Sequence, residues 1–91
     1  MAHGRKKIPN RLRKHRRLAG LSQKEATRRL QLQSNSMLSR WERGFAMPSA
    51  ENLLRLSALY KTLANKLYFD LFVEYRHELF DKQKNADSNA P

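Results

Sequence analysis

The sequence predicts an all-α fold: one compact domain of five helices, the last of them extended. Apolar residues recur at helical spacing through the middle of the chain. Only three glycines and three prolines interrupt them, and both residue types are unfavourable inside a helix. No stretch reads as a convincing strand. The run LYFDLFV, from Leu67 to Val73, has strand-like propensity, but its helical neighbours and its length favour helix. The 91 residues suffice for one small core and not for two, and no internal repeat divides them.

Residues 1–9 are small, basic or helix-breaking and read as a flexible basic arm that carries Arg5, Lys6 and Lys7 and stops at Ile8 and Pro9. The domain is expected over 10–81. Asn10 is the candidate cap of the first helix, RLRKHRRLA, in which Leu12, His15 or Arg16, and Ala19 line one face before Gly20 ends it. The second helix, at about 22–30, has the clearest start. Ser22 and Glu25 in SQKE fit a capping box, in which each side chain accepts from the other residue's free backbone donor.

The segment QLQ connects to a third helix at about 35–43, with Ser34 as its candidate cap and Gly44 as a left-handed stop. Pro48 and Ser49 open a fourth helix over ENLLRLSALY, where Leu53, Leu56 and Tyr60 share a face. After a link over 61–63 the C-terminal helix is expected at about 64–81. The polar residues 82–91 are expected to be disordered.

Charge is distributed unevenly. Residues 1–44 hold thirteen Lys or Arg against Glu25 and Glu42, whereas residues 45–91 hold six of each sign. All of the net +11 therefore lies in the first half. A polyanion is the natural partner for such a segment, because cations that neutralise phosphates release counterions. A merely solvated basic face is the alternative.

Other classes of function find little support. There is no cysteine, and His3, His15 and His77 lack ligand spacing, so neither a metal nor a cofactor is expected. The sequence offers no nucleophile, base and orienter set and no phosphate-cradling glycine loop, so no enzyme is expected. The basic start is not followed by an apolar run of signal-peptide length, and no stretch approaches the roughly 18 apolar residues of a membrane span. The first helix also lacks the apolar bulk for membrane-surface insertion. A soluble, intracellular protein is expected.

The third helix is the most informative element. At about 100° per residue, Asn35, Ser36, Ser39, Arg40 and Arg43 fall within an arc of roughly 140°, and Met37, Leu38 and Trp41 take most of the rest. One side carries short polar groups and arginines suited to base edges or phosphates. The other is apolar and suited to packing, and Trp41 is expected in the core. An ordinary amphipathic surface helix would show the same division.

The ordered set LRKHRRLAGLSQKEATRRL, SNSMLSRWERG, Pro48-Ser49 and ENLLRLSALY resembles the lambda-repressor-like helix-turn-helix family, also called the xenobiotic-response-element family, of bacterial and phage regulators. The resemblance spans residues 10 to 68. It implies a sequence-specific regulator of transcription, most simply a repressor, that binds double-stranded DNA as a homodimer in the cytoplasm and at the nucleoid. The implied base readers are Asn35, Ser36, Ser39 and Arg40. Implied phosphate contacts are Gln23 at the start of the second helix, with Lys24, Ser34 and Arg43. Arg16 and Glu42 match a pair that forms a structural salt bridge in this family.

Three departures stand out. The connection before Ser34 carries one residue more than the commonest form, Gln31 stands where Gly is usual, and Thr27 replaces Ala. A left-handed conformation is penalised for Gln, so a reshaped turn is expected. His15 occupies a usually apolar position and reads as a packed core histidine.

The C-terminal helix is rich in bulk, with Leu67, Tyr68, Phe69, Leu71, Phe72, Val73 and Tyr75. This exceeds what one helix needs to complete a small core, so these residues are the candidate dimer or partner surface. A protein-interaction module, such as a toxin-binding antitoxin or an adaptor, is the alternative function for the same fold. With no separate effector domain in these residues, occlusion of a promoter is the expected mechanism.

Overall fold

The computed structural model describes the backbone of residues 6–88 and the side chains of residues 6–81. Six helices run in the order α1 (Leu12–Leu18), α2 (Gln23–Arg29), α3 (Asn35–Glu42), α4 (Ala50–Tyr60), α5 (Ala64–Leu67) and α6 (Phe69–Ser88), with no strand among the described residues. The core forms where four leucines from four helices meet: Leu12, Leu38, Leu56 and Leu67 are fully buried. Truncating any of them to Ala is worth about 2–5 kcal/mol, because the packed surroundings cannot close over the void. Ala26, Leu30, Trp41, Tyr60 and Tyr68 complete the core, and Ile8, Leu53 and Leu71 pack on its rim.

Local chemistry sets each helix start. Ser22 Oγ accepts from the Glu25 amide at 3.0 Å, and a Glu25 carboxylate oxygen accepts from the Ser22 amide at 3.0 Å, so the capping box opens α2. The Ser22 amide bond first, and then the neighbouring Ser22 hydroxyl, hold the Glu25 carboxyl below its ordinary value. Ser49 caps α4 through the Asn52 amide at 3.2 Å. Ser34 stands at the N-cap of α3, but its hydroxyl pairs with that of Ser36 at 2.7 Å and makes no cap bond.

At α1 the cap position belongs to Arg11, one residue later than expected. Asn10 still serves the helix start, since its Oδ1 accepts from the Leu12 amide at 3.1 Å. Arg16, not His15, turns into the core on the face of Leu12. His15 is half-buried and Ala19 is exposed, so the packed core histidine is not observed. Burial first, and then Lys14, Arg11 and Lys66, keep the His15 imidazole below its ordinary value.

Gln31 adopts the left-handed conformation, with φ +59°. The turn is therefore not reshaped to avoid strain. Its amide still reaches the Arg28 carbonyl, and the Leu32 amide reaches Thr27 at 3.0 Å, closing α2 as a glycine would.

The C-terminal helix is divided at Tyr68, whose φ of −122° and ψ of 48° are not helical. The reason lies in the preceding carbonyl: Leu67 O accepts from the Arg11 amide at 2.8 Å, so α1 claims an acceptor that a continuous helix would use itself. Beyond the break, α6 runs to Ser88. It thus continues into the segment 82–91 that was expected to be disordered. Residues 89–91 lie outside the described residues. Among the described residues no helix is long and apolar enough to cross a membrane.

Candidate nucleic-acid interface

Helix α3 is anchored by its apolar side and offers the other. Leu38 and Trp41 are buried, while Asn35, Ser36, Arg40 and Arg43 are exposed and Ser39 is half-buried. Met37 departs from the helical-wheel division: it is 37% exposed, although its type suggested the packed side. The exposed side therefore combines hydrogen-bonding groups, two guanidinium groups and one flexible apolar side chain. That mixture suits base edges in a major groove, where Arg matches guanine O6 and N7, Asn matches adenine, and an apolar group meets the thymine methyl. Lys24, Arg28 and Arg29 of α2 are exposed as well.

One carboxylate fixes how α3 is held. The Glu42 side chain is fully buried. Arg16 donates to it from Nε at 2.6 Å and from Nη2 at 3.2 Å, and Gln23 donates from Nε2 at 3.1 Å. Arg13 Nε lies 3.7 Å away at the solvent edge. The third donor of Arg16, Nη1, goes to the Leu21 carbonyl at 3.0 Å, so the guanidinium joins α1, the turn before α2 and the end of α3. Its hydrogen bond to Glu42 raises the Arg16 pKa above the ordinary arginine value. Tyr60 OH is buried without a hydrogen-bond partner, and burial, aided by the neighbouring Glu42 charge, pushes its pKa up.

Gln23 was singled out as a phosphate contact, and its amide nitrogen is here committed to Glu42. This arrangement fixes the first residue of α2 relative to the end of α3. Ser34, also singled out for phosphate, is exposed and tied to Ser36.

The basic arm requires correction at its inner end. Arg5 lies outside the described residues, and Lys6 is exposed. Ile8 and Pro9 are part of the folded unit: the Ile8 amide donates to Gly44 O at 2.8 Å, and the Ile8 side chain packs on the core rim. Asn10 Nδ2 lies within hydrogen-bond range of the Ile8, Trp41 and Glu42 carbonyls at 3.1, 3.1 and 3.2 Å, capping the C-terminal end of α3. Gly44 has φ +81°, and a Cβ placed there would stand 2.6 Å from Ile8 O. Only glycine lets the chain segments approach this closely. Lys7 Nζ lies 5.4 Å from the centre of the exposed Phe45 ring, and Arg43 Cζ lies 4.8 Å from the same point.

The candidate partner surface also divides. Leu67 and Tyr68 are buried in the core, and Tyr68 contributes to the surface only as part of the lining of an apolar groove. Burial of the Tyr68 hydroxyl, which has no partner, pushes its pKa up to about 12. Leu71 and Val73 are half-buried, whereas Phe69, Phe72 and Tyr75 are exposed. Phe69 lies under the Arg11 guanidinium at 4.7 Å, and Arg11 also meets Asp70 at 3.2 Å.

The sequence reading missed Met47 and Leu79, which extend the exposed apolar face, and also the exposed Phe80 and Phe45. Helical spacing from Phe72 through Tyr75 was a signal for Leu79, whereas no spacing along the chain marked Met47. For Phe45 the signal was a large aromatic set between Gly44 and the Pro48 helix start. Phe72 and Tyr75 border an apolar groove of about 200 Å³ with Met47 and Leu53 on its other side.

A family model described as helix-turn-helix matches residues 12–64, more than half of the chain. No curated protein and no solved structure matches it.

Proposed function

The chain belongs to the lambda-repressor-like helix-turn-helix family, a family of DNA-binding regulators, and on that premise we propose that it reads a specific double-stranded site by inserting α3 into the major groove. One observation carries this reading: Asn35, Ser36 and Arg40 are exposed together on a helix whose opposite side is locked by Leu38, Trp41 and the buried Glu42 carboxylate. Rigid support of this kind suits base reading, because a bidentate contact tolerates little displacement. Arg43, Lys24, Ser34 and the arm lysines hold the phosphate backbone, and Gln23 joins them through whatever donor capacity Glu42 leaves it.

Two copies act together, in the cytoplasm and on the nucleoid, as a repressor that occludes its promoter. The exposed face of Phe72, Tyr75 and Leu79 on α6, beside the apolar groove, supports a second copy as its occupant. A single helix face repeated by a two-fold axis is self-complementary, and such an axis matches a palindromic operator. A toxin or another protein on the same face is the competing reading, and it would leave the free chain monomeric.

The test selects bound duplexes from a random pool and then compares variants on the selected site and on random DNA. Arg40→Ala should weaken the selected site by about 1–3 kcal/mol and random DNA far less. Arg43→Ala should weaken both by similar factors. If folded Arg40→Ala and Asn35→Ala proteins both discriminate as well as the parent, α3 is not the reader, and the turn before Ser34 holds the error.

A further inference from the structure

Phe45 is a large apolar side chain, 41% exposed, at the point where the chain leaves the recognition helix. Two cations from distant parts of the sequence converge on its ring, Lys7 at 5.4 Å and Arg43 at 4.8 Å. Among the described residues neither cation is paired with a carboxylate. Both therefore lie within a few ångströms of one point, uncompensated, beside α3.

We propose that Lys7, Phe45 and Arg43 form one phosphodiester-binding site, in which the ring is a positioning residue that holds both cations for the DNA backbone. The inference rests on the DNA-binding reading above and adds a component to it: the inner arm and the recognition helix engage the backbone as a unit. Three features make the unit stiff. The Ile8 amide bond to Gly44, the Asn10 side chain across the Trp41 and Glu42 carbonyls, and the absence of a Cβ at Gly44 bring Lys7 to Phe45 regardless of ligand.

Physical chemistry favours a phosphodiester as the occupant. A cation over a ring keeps its remaining donors free, and a guanidinium presents them in a fork that matches two phosphate oxygens. Two cations sharing one platform repel each other, and an anion between them relieves that repulsion. The ring also restricts two long side chains that would otherwise lose their freedom only on binding. A base-reading role is less suited to this site, since Lys7 lies on backbone anchored past the C-terminal end of α3.

The experiment uses the full chain and a labelled random-sequence duplex, titrated over a range of salt. Phe45→Leu keeps apolar bulk but removes the ring, and Phe45→Tyr keeps the ring. For each cation released, affinity should fall about two- to fivefold, and the slope of log affinity against log salt should shrink by about 0.9. Phe45→Tyr should match the parent in both readouts. Lys7→Ala should weaken the parent and leave Phe45→Leu almost unchanged.

If Phe45→Leu binds with the parent's affinity and slope, or if Lys7→Ala costs the same in both backgrounds, the site is overturned while DNA binding stands. If the parent itself binds no duplex, the DNA-binding reading falls and this site falls with it. The Lys7→Ala and Arg43→Ala double-mutant cycle reads the same unit with the ring intact, and strictly additive losses there would also overturn it. A thermal melt of each variant accompanies these measurements.

Discussion

Replacing Arg16 by Met tests whether the buried ion pair holds α3. Methionine retains much of the aliphatic stem and removes the charge, so the Glu42 carboxylate stays buried and loses both guanidinium donors, at 2.6 and 3.2 Å. Stripping one partner from a buried pair is worth about 3–5 kcal/mol. Gln23 at 3.1 Å remains, and Arg13 at 3.7 Å is free to move closer, which favours the lower end. The Leu21 carbonyl also loses its donor at 3.0 Å, a loss of about 0.5–1.5 kcal/mol.

A total near 4 kcal/mol is a large share of the roughly 5–15 kcal/mol that stabilises a domain. At about 4–8 °C per kcal/mol it should lower Tm by about 16 °C or more. Urea unfolding followed by circular dichroism measures the loss directly. The double variant Arg16→Met, Glu42→Leu should be more stable than Arg16→Met alone, since no unpaired charge is then buried. Because the folded-state pKa of Arg16 is raised, its contribution is present at all pH values below the ordinary arginine range, so the result should not depend on pH on that account. A loss under 1 kcal/mol for Arg16→Met, or a double variant that is worse by the sum of both singles, would refute the assignment.

Gln31→Gly should stabilise the fold by about 0.5–1 kcal/mol, because relief of a left-handed residue, about 1–2 kcal/mol, outweighs the added freedom of the unfolded chain. A lower urea midpoint would count against this. For His15 the folded-state pKa lies below 6.5, so the unfolded chain binds its proton first and stability should decline as pH falls through that value. His15→Gln should flatten that decline, and an unchanged pH profile would exclude the histidine as its source. Glu25 has a depressed pKa, so its contribution is present above 4.5 and lost at lower pH, and Glu25→Gln should reduce the acid limb of the stability curve. Sedimentation should find the parent dimeric at micromolar concentration and Phe72→Asp monomeric and folded; a parent that is monomeric both free and on DNA removes α6 as the dimer surface.

The parts of this fold that were readable in the sequence depend on neighbours a few residues apart. Ser22 and Glu25 meet within one turn, and Gly44 follows directly on the helix it ends, so both could be recognised from spacing alone. The division at Tyr68 could not. Its cause is the Arg11 amide, on a distant helix, and the surrounding apolar run looks the same with or without a break. The same holds for the inner arm, where Ile8 and Asn10 act on the end of α3 across more than thirty residues of chain.

Helix α3 shows both situations. Its polar arc followed from helical periodicity, and the exposed positions of Asn35, Ser36 and Arg40 agree with it. The exposure of Met37 did not follow, because residue type alone does not reveal that α3 begins beyond the edge of the core. Gln31 shows a different limit: intrinsic preference argued against the left-handed turn, and tertiary packing of α2 against α3 retained it.

The Asn10 side chain also redefines where the autonomous folding unit begins. The family match starts at Leu12, yet the carbonyls that terminate α3 are satisfied by a residue upstream of that boundary. Anyone excising this module for a chimaeric regulator, or grafting α3 onto another scaffold, would find that a fragment cut at the homology boundary omits part of that helix's own support. The portable module starts no later than Ile8, and trimming it further would loosen α3 at its far end while leaving every side chain on its exposed face in the fragment.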